Sequence, residues 1–518
     1  MADKPRWFQT AAIDYPNSRP HIGTAFEKLG ADVQARYRRM EGYDVRFLMG
    51  NDENTVKVAR RAAELGQDVQ AYCDDMAKQF REVWDALDIS YDEFVQTSEP
   101  RHHACARAFV QKVYDNGYIR KDKFEGWYCN GCEAFKTEQE HKDNNGVCPL
   151  HPNQQLIRRS EDCYFFEQSK FADRLLKLYE DRPDFIQPES RRNEIVALVK
   201  DGLQDLNITR TGEEWGIRLP FDERFTIYVW FDALLTYITG IGYGTDGAEF
   251  AKWWPAAVHF IGKDITRFHC ATWPAMLMAA GLEVPKSVFG HGFVYNRGSK
   301  IGKSLGNVVE PMDIITKFNV DAFRYYFLRE CPFPGDGDFT WERFTEVFNA
   351  DLANNLGNLA SRLITLVTKN YDGVLPGTAG RTPTQVEGTN LAATVEAVRG
   401  HVEACRYNQA LEAIWRQVLD PANQYAEKTA PWKLVKADKD AAAKVLFDLL
   451  EPLRAATILL KPFLPRSAGT IYASFNFAKP WDAVSYADAV MPAAPVDDLR
   501  VLAALDGGKV KPLFPRIA

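Results

Sequence analysis

Residues able to act on a nucleotide stand at two distant points of the chain. Pro20-His21-Ile22-Gly23-Thr24 lies where a short apolar run (6–13) passes through a turn into a long helical pattern. At such a junction backbone N–H groups and the helix dipole favour an anion, glycine permits close approach, and histidine adds a donor. The combination suits a triphosphate, although taken singly it is also a helix-capping turn. Far downstream, Lys300-Ile301-Gly302-Lys303-Ser304-Leu305-Gly306-Asn307 sets two lysines on a Gly-containing loop. Such cations can close over the β- and γ-phosphates and stabilise the charge that builds as pyrophosphate leaves; alone, the segment is also a solvated loop. The third group is Cys129-x2-Cys132, fifteen intervening residues, and Cys148-x2-His151, with Gly131 and Gly146 in the knuckles. That spacing fits tetrahedral Cys3His zinc, and four protein ligands leave no open position, so the site reads as structural. Its alternative is three unrelated cysteines and a surface histidine. Arg101-His102-His103 reads as a solvated helix face.

The elements that must carry these groups follow from periodicity. Residues 6–13 read as a strand, 14–20 as a turn, and 21–40 as a helix with Phe26, Leu29, Val33 and Tyr37 on its apolar side. A second strand at 44–49 and a helix at 55–65 complete a βαβ unit, which implies a parallel sheet with its ligand at the strand ends. Between 117 and 225 helical periodicity gives way to cysteine, glycine, asparagine and short β-like runs such as 163–166, the mark of an inserted domain. Strand and helix alternation resumes at 226–230 and 258–262 and reaches a Gly-rich stretch at 290–306. From Trp341 onward the pattern is helical, at 348–368, 390–401, 409–430 and 444–460, with a loop at 376–390. The expected fold class is α/β plus all-α: a split Rossmann-like parallel sheet in 1–116 and 226–290, an inserted zinc-bearing connective domain at 117–225, and a C-terminal helical bundle at 351–518.

Composition supports a folded, multi-domain protein: 518 residues, 46% hydrophobic and 26% charged. Nine cysteines are too sparse for a disulfide scaffold, which points to a reducing compartment. The start, Met1-Ala2-Asp3-Lys4-Pro5-Arg6, is charged, and no stretch approaches 18 uncharged apolar residues, so a cytoplasmic protein without membrane contact is expected. Net charge is −7, but 350–518 holds 19 Lys and Arg against 17 Asp and Glu. The overall sign therefore neither favours nor excludes an RNA partner.

The two nucleotide motifs, taken together on a split α/β fold, resemble the paired signatures of class I aminoacyl-tRNA synthetases. They depart from the usual form at Thr24, where His or Asn is common, and at Ile301 and Gly302, where Met and Ser are common. The stretches 15–23, Gly50-Asn51-Asp52-Glu53, Tyr228-Val229-Trp230-Phe231-Asp232-Ala233, 259–265 and 268–275 are similar to those of methionyl-tRNA synthetases, in the same order and over essentially the whole chain. The resemblance implies methionine–tRNA ligase activity, with ATP, L-methionine and tRNA(Met) as partners. It implies a methionine pocket of Ile13, Tyr15, Trp230, Ala233, Tyr237, Ile265, His269 and Trp273, with Asp52 on the substrate ammonium. Asn54 stands where that family has His. His21, Gly23, Thr24 and Lys303 would hold ATP, with Lys300 and Arg210 assisting catalysis. Asn358, Arg362 and Trp432 would read the anticodon from 351–518, and 291–350 would carry the lysine loop and a stem-contact region. One structural Zn2+, Mg2+ with ATP and a monomer complete the expectation.

The chemistry of the pocket agrees independently: a thioether donates no hydrogen bond, so selecting it calls for aromatic walls and one polar probe such as His269 or Tyr237. Two rivals share parts of the pattern. Another class I enzyme is one; branched-chain synthetases carry a larger insertion than 117–225, and nucleotidylyltransferases lack both the zinc knuckle and the bundle. A tRNA-binding descendant without catalysis is the other.

Overall fold

The computed structural model describes residues 4–129, 134–136, 138–148, 151–211, 214–301, 306–491, 495, 497–503 and 511–517. Cys132, Gly302 and Lys303 lie outside these, as does the side chain of His151. The N-terminal apolar run forms β1 (Arg6–Ala11), followed by α1 (Ile22–Met40) and β2 (Asp44–Asn51). Further on come β3 (Glu93–Gln96), β4 (Ile186–Gln187), β5 (Ala257–Gly262) and β6 (Ser287–His291). All six pair in parallel, in the order β3-β2-β1-β5-β6-β4. The chain leaves β1 toward β2 on one side, and β5 leads to β6 on the other, so the carboxyl ends of β1 and β5 flank a switch point where ligands bind.

Segment 117–225 builds its own antiparallel sheet from Ile119–Cys129, Ala134–Lys136, Ile157–Phe166 and Leu206–Asn207. It also returns β4 to the edge of the parallel sheet, with Val288 opposite Ile186. The apolar run expected as a strand at 226–230 divides. Phe225–Ile227 pairs antiparallel with Thr209–Thr211, and Trp230 falls on a short helix, Val229–Ala233. Five residues of mixed β-branched and aromatic type do not distinguish a strand end from a helix start.

The C-terminal part is helical as expected, and among the described residues three stretches widen to π geometry: Phe268–Thr272 between β5 and β6, and Phe348–Gly357 and Trp415–Leu419 in the helical part. Such widening aims side chains where a regular helix would not, and it is common at functional sites. Among the described residues no helix is long and apolar enough to cross a membrane.

Helix α1 joins the two halves. Its apolar side covers β1 and β2, while Tyr407 donates to Gly30 O at 2.8 Å from the helical part, and a Cβ at Gly30 would lie 2.0 Å from the Phe333 ring. Arg324, fully buried, donates to Asp32 Oδ2 on α1 (2.7 Å), to Leu87 O (3.2 Å), and to Phe463 O (2.7 Å) and Pro462 O (3.1 Å) of the bundle.

Candidate active site

His21 caps α1, and its Nδ1 accepts from the N–H groups of Gly23 (3.1 Å) and Thr24 (3.3 Å). A side chain on Gly23 would sit 3.0 Å from the His21 ring, so glycine is what lets the imidazole fold over the helix end. The cap changes one expectation. Ile22 N donates to Val309 O and Ala25 N to His21 O, both at 3.0 Å, so all four amides of the first turn are occupied and none is left to cradle a phosphate. Because Nδ1 accepts, the proton of the neutral ring resides on Nε2, and burial lowers the pKa and keeps the ring neutral. His21 Nε2–H remains as a donor here, and the Thr24 hydroxyl lies 3.5 Å from Nδ1, with the helix dipole behind both.

A cavity of about 250 Å³ opens at this point, lined on the α1 side by Asp14, His21, Gly23, Thr24 and Glu27. Gly262, Asp264, His291 and the hairpin residues Lys300 and Ile301 complete it. Lys300 is exposed, 5.2 Å from the Phe293 ring centre, and begins the lysine loop. Asp14, Glu27 and His291 belong to no motif in the sequence. The signal available was an adjacent Glu27-Lys28 pair inside a helix whose surroundings are apolar.

Asp52 is buried, with Oδ1 lacking a hydrogen-bond partner among the described residues. Burial first, then the negative charges of Asp232 and Glu53, hold its pKa well above the usual carboxylate range, while a hydrogen bond with Tyr15 opposes this. A buried carboxylate in that state is stabilised by a cation. Asp52 N donates to Asp14 O at 2.8 Å, so this carboxylate and the nucleotide cavity meet across the ends of β1 and β2.

The other aromatic residues expected around a thioether fall into two groups. Tyr237 and His269 are buried and bonded, hydroxyl to Nε2, at 2.7 Å; His269 Nδ1 donates to Ile265 O (3.1 Å), so Nε2 accepts from the tyrosine. Burial pulls the His269 pKa down to about 4, and the ring is neutral. Trp273 donates to His259 Nε2 (3.2 Å) and meets Tyr237 edge-on at 6.4 Å. Trp230 is half-buried and stacks on Phe268 with 4.2 Å between ring centres. Ala233 is buried, and Ile13 and Ile265 are half-buried. Beside them lies a cavity of about 220 Å³, lined by Tyr15, Asn54, Thr55, Val56, Lys57, Arg210, Tyr228 and Val229. Arg210 stacks 4.0 Å over the Tyr228 ring.

His102 departs from the expected solvated face. It is fully buried, Nε2 lies 2.6 Å from Asp232 Oδ1, and Nδ1 lies 2.9 Å from the Thr239 hydroxyl. Asn54 donates to the other Asp232 oxygen at 2.8 Å. A carboxylate buried under the helix draws the imidazole inward, which exposure patterns in the local sequence do not reveal.

In the bundle, Arg362 lies 5.0 Å over the Trp432 ring and pairs with Glu427 at 2.6 Å. With Ser361, Thr365 and Leu366 these two line an open cavity of about 450 Å³. Ala430 takes a left-handed turn (φ 43°) between the helices Asp420–Thr429 and Pro431–Ala437, and so presents Trp432 toward Arg362. Asn358 is half-buried at the start of the helix Asn358–Tyr371, one turn before Arg362 and off the cavity wall.

Cys129 and Cys148 are fully buried in a small core of their own with Leu156, against Trp127. Cys148 is the antiparallel partner of His151. Among the described residues no group of three or more His, Cys, Asp or Glu side chains is arranged around a metal position, and Cys132 and the His151 ring fall outside that set.

A parallel sheet split by an insertion, a capped His-x-Gly turn and a lysine hairpin around one cavity define a class I aminoacyl-tRNA synthetase. The model for class I (M) tRNA synthetases matches 7–156 and 144–364, and the anticodon-binding domain of methionyl tRNA ligase matches 376–497. The chain belongs to the methionyl-tRNA synthetase family. It is 44% identical to the methionine–tRNA ligase of Synechocystis sp., over 92% of this chain and 90% of that protein. It is 42% identical to that of Caldanaerobacter subterraneus subsp. tengcongensis, over 93% and 76%. The solved structure of Mycobacterium tuberculosis methionyl-tRNA synthetase in complex with methionyl-adenylate superposes with a TM-score of 0.86 at 39% identity, covering 99% of this chain and 100% of that one.

Proposed function

We infer that the chain is a methionine–tRNA ligase whose two half-reactions run in the joined cavities at the ends of β1, β2 and β5. The methionine carboxylate attacks the α-phosphorus of ATP, the bond from that phosphorus to the α,β-bridging oxygen breaks, and pyrophosphate leaves with the electron pair. The terminal ribose hydroxyl of tRNA(Met) then attacks the methionyl carbonyl, and AMP leaves. The observation that carries this reading is the buried, unpartnered Asp52 oxygen, one backbone hydrogen bond from the nucleotide cavity. It supports a reading in which the substrate ammonium binds beside the triphosphate.

In this reading Asp52 holds the substrate ammonium and Tyr15 orients that carboxylate. His21 and Thr24 donate to the phosphates beside Gly23, and Lys300 and Lys303 neutralise the departing pyrophosphate, which travels with Mg2+. Arg210 faces the outer mouth. Trp230, Trp273, Ala233, Ile13 and Ile265 shape the thioether pocket, with the Tyr237–His269 pair as its polar probe. Asn358 and Arg362 offer hydrogen bonds to unpaired bases that stack on Trp432. Cys129, Cys132, Cys148 and His151 hold one zinc ion; two ligands already buried together and a third position opposite Cys148 fit such a centre, which ties the knuckles and takes no part in the reaction. The enzyme acts in the cytoplasm as a monomer.

Methionine-dependent pyrophosphate exchange tests the reading. Wild-type protein exchanges with methionine, and Lys303→Ala slows exchange by about two to three orders of magnitude while methionine affinity changes little. Exchange with leucine or valine alone would move the assignment to a sister enzyme, and tRNA binding with no exchange would make the chain a binding protein. Zinc analysis should return one ion per chain.

A further inference from the structure

The nucleotide cavity holds two kinds of group. His21 and Lys300 suit phosphate, whereas Asp14 and Glu27 are carboxylates, which repel phosphate and accept from hydroxyl or amino donors. Behind them lies Lys28, whose side chain is 1% exposed. Its ammonium has three protons and three acceptors: Ala12 O at 2.7 Å, Asp14 Oδ1 at 3.1 Å and Glu27 Oε1 at 2.7 Å. The other Glu27 oxygen, Oε2, lies 2.9 Å from His291 Nε2, and His291 Nδ1 donates to Gly292 O at 2.7 Å. Lys28 therefore ties the exit of β1 to the middle of α1, one turn beyond Thr24, without touching the cavity.

We propose that Lys28 is a positioning residue for the nucleoside end of ATP: it fixes the Asp14 and Glu27 carboxylates, charged and aimed into the cavity, as acceptors for the ribose hydroxyls, and so sets which end of the nucleotide faces His21. The proposal rests on the nucleotide reading of this cavity. Burial raises Asp14, and even with Lys28 pulling it down its pKa stands at about 6; Glu27, held by Lys28 and His291 against the same burial, lies at about 2. Asp14 is therefore the member of the pair whose charge depends on Lys28 near neutral pH. The titratable groups that face it are Lys28 and Glu27 on α1, His21 at its cap, His291 at the end of β6, Asp264 after β5, and Asp52 and Tyr237 on the methionine side.

Exchange kinetics and equilibrium ATP binding on the full chain, from pH 5 to 8, decide the matter. In the wild type the KM for ATP rises as pH falls through about 6, since the acceptor is lost on protonation. Lys28→Met should raise the KM for ATP at least about tenfold, leave the KM for methionine within about twofold, and move the step above pH 6. Asp14→Asn should raise the KM for ATP and abolish the step. Equal rises in both KM values with tRNA binding retained, or a step that persists in Asp14→Asn, would overturn the proposal. If Lys28→Met does not fold, Asp14→Asn decides alone. Glu53, with a pKa raised to about 7 chiefly by burial, can add a pH step only on the methionine side. Exchange with a different amino acid would sink the methionine assignment yet leave every ATP comparison readable.

Discussion

His21 does two jobs with its two nitrogens. Nδ1 completes the helix cap, and Nε2–H is the donor that the proposed phosphate contact would use. His21→Asn keeps a short acceptor for the cap but removes that donor. Stability should then stay within about 1 kcal/mol of wild type, while single-turnover adenylate formation slows by about 10²–10³-fold. Asp52→Asn should weaken methionine by about 2–4 kcal/mol, a KM increase of roughly 30-fold or more, with the KM for ATP nearly unchanged. Tyr237→Phe leaves His269 Nε2 without its donor, and the ratio of methionine to leucine exchange should fall about tenfold. At this scale the sequence offered candidate residues, because motif spacing survives in one dimension. It did not show that the first-turn amides are consumed, nor that Lys28, Asp14 and His291 meet, since each bond joins residues far apart in the chain or on separate elements.

Helix α1 was legible from its apolar period, and its partner strands from β-branched and aromatic runs. Its second face was not. Glu27, Lys28 and Asp32 are charged, yet all three are buried: Glu27 and Lys28 against Asp14 and His291 at the strand ends, and Asp32 under Arg324. Gly30 marks the closest approach. In Gly30→Ala the new methyl meets Phe333 at 2.0 Å and the Tyr407 bond must shift, so denaturant unfolding should show a loss of about 1–3 kcal/mol, more than any intrinsic helix gain from alanine. The π-widened stretches were equally hidden. Phe268–Thr272 places His269 over Ile265 O, and Phe348–Gly357 precedes Asn358, but no residue type announces the extra residue per turn.

Over the whole molecule the order of units was readable from changes of periodicity, whereas their attachment was not, because it rests on contacts between distant residues, among them an arginine that resembles any other helical cation. Arg324→Met leaves Asp32 with one cation fewer and three buried carbonyls without a donor, at a cost of about 3–5 kcal/mol. Calorimetry should resolve the catalytic and helical parts as separate transitions in that variant. Acid stability follows the same contacts. Burial alone would raise Asp32 and Glu27, but Arg36 and Arg324 on one, and Lys28 and His291 on the other, bring both to about 2. Their contribution, about 2–3 kcal/mol each, is present above pH 4.5 and is lost as pH falls toward 2, so wild-type unfolding should steepen across that interval and Arg324→Met should unfold at a higher pH. The bond from Tyr407 to Gly30 and the Arg324 clasp also set a span. With the two ends fastened to one rod, the proposed tRNA contacts at the adenylate-forming end and at Trp432 would act as a caliper of fixed opening: an RNA whose two tips are the wrong distance apart would touch one jaw or the other, but not both at once.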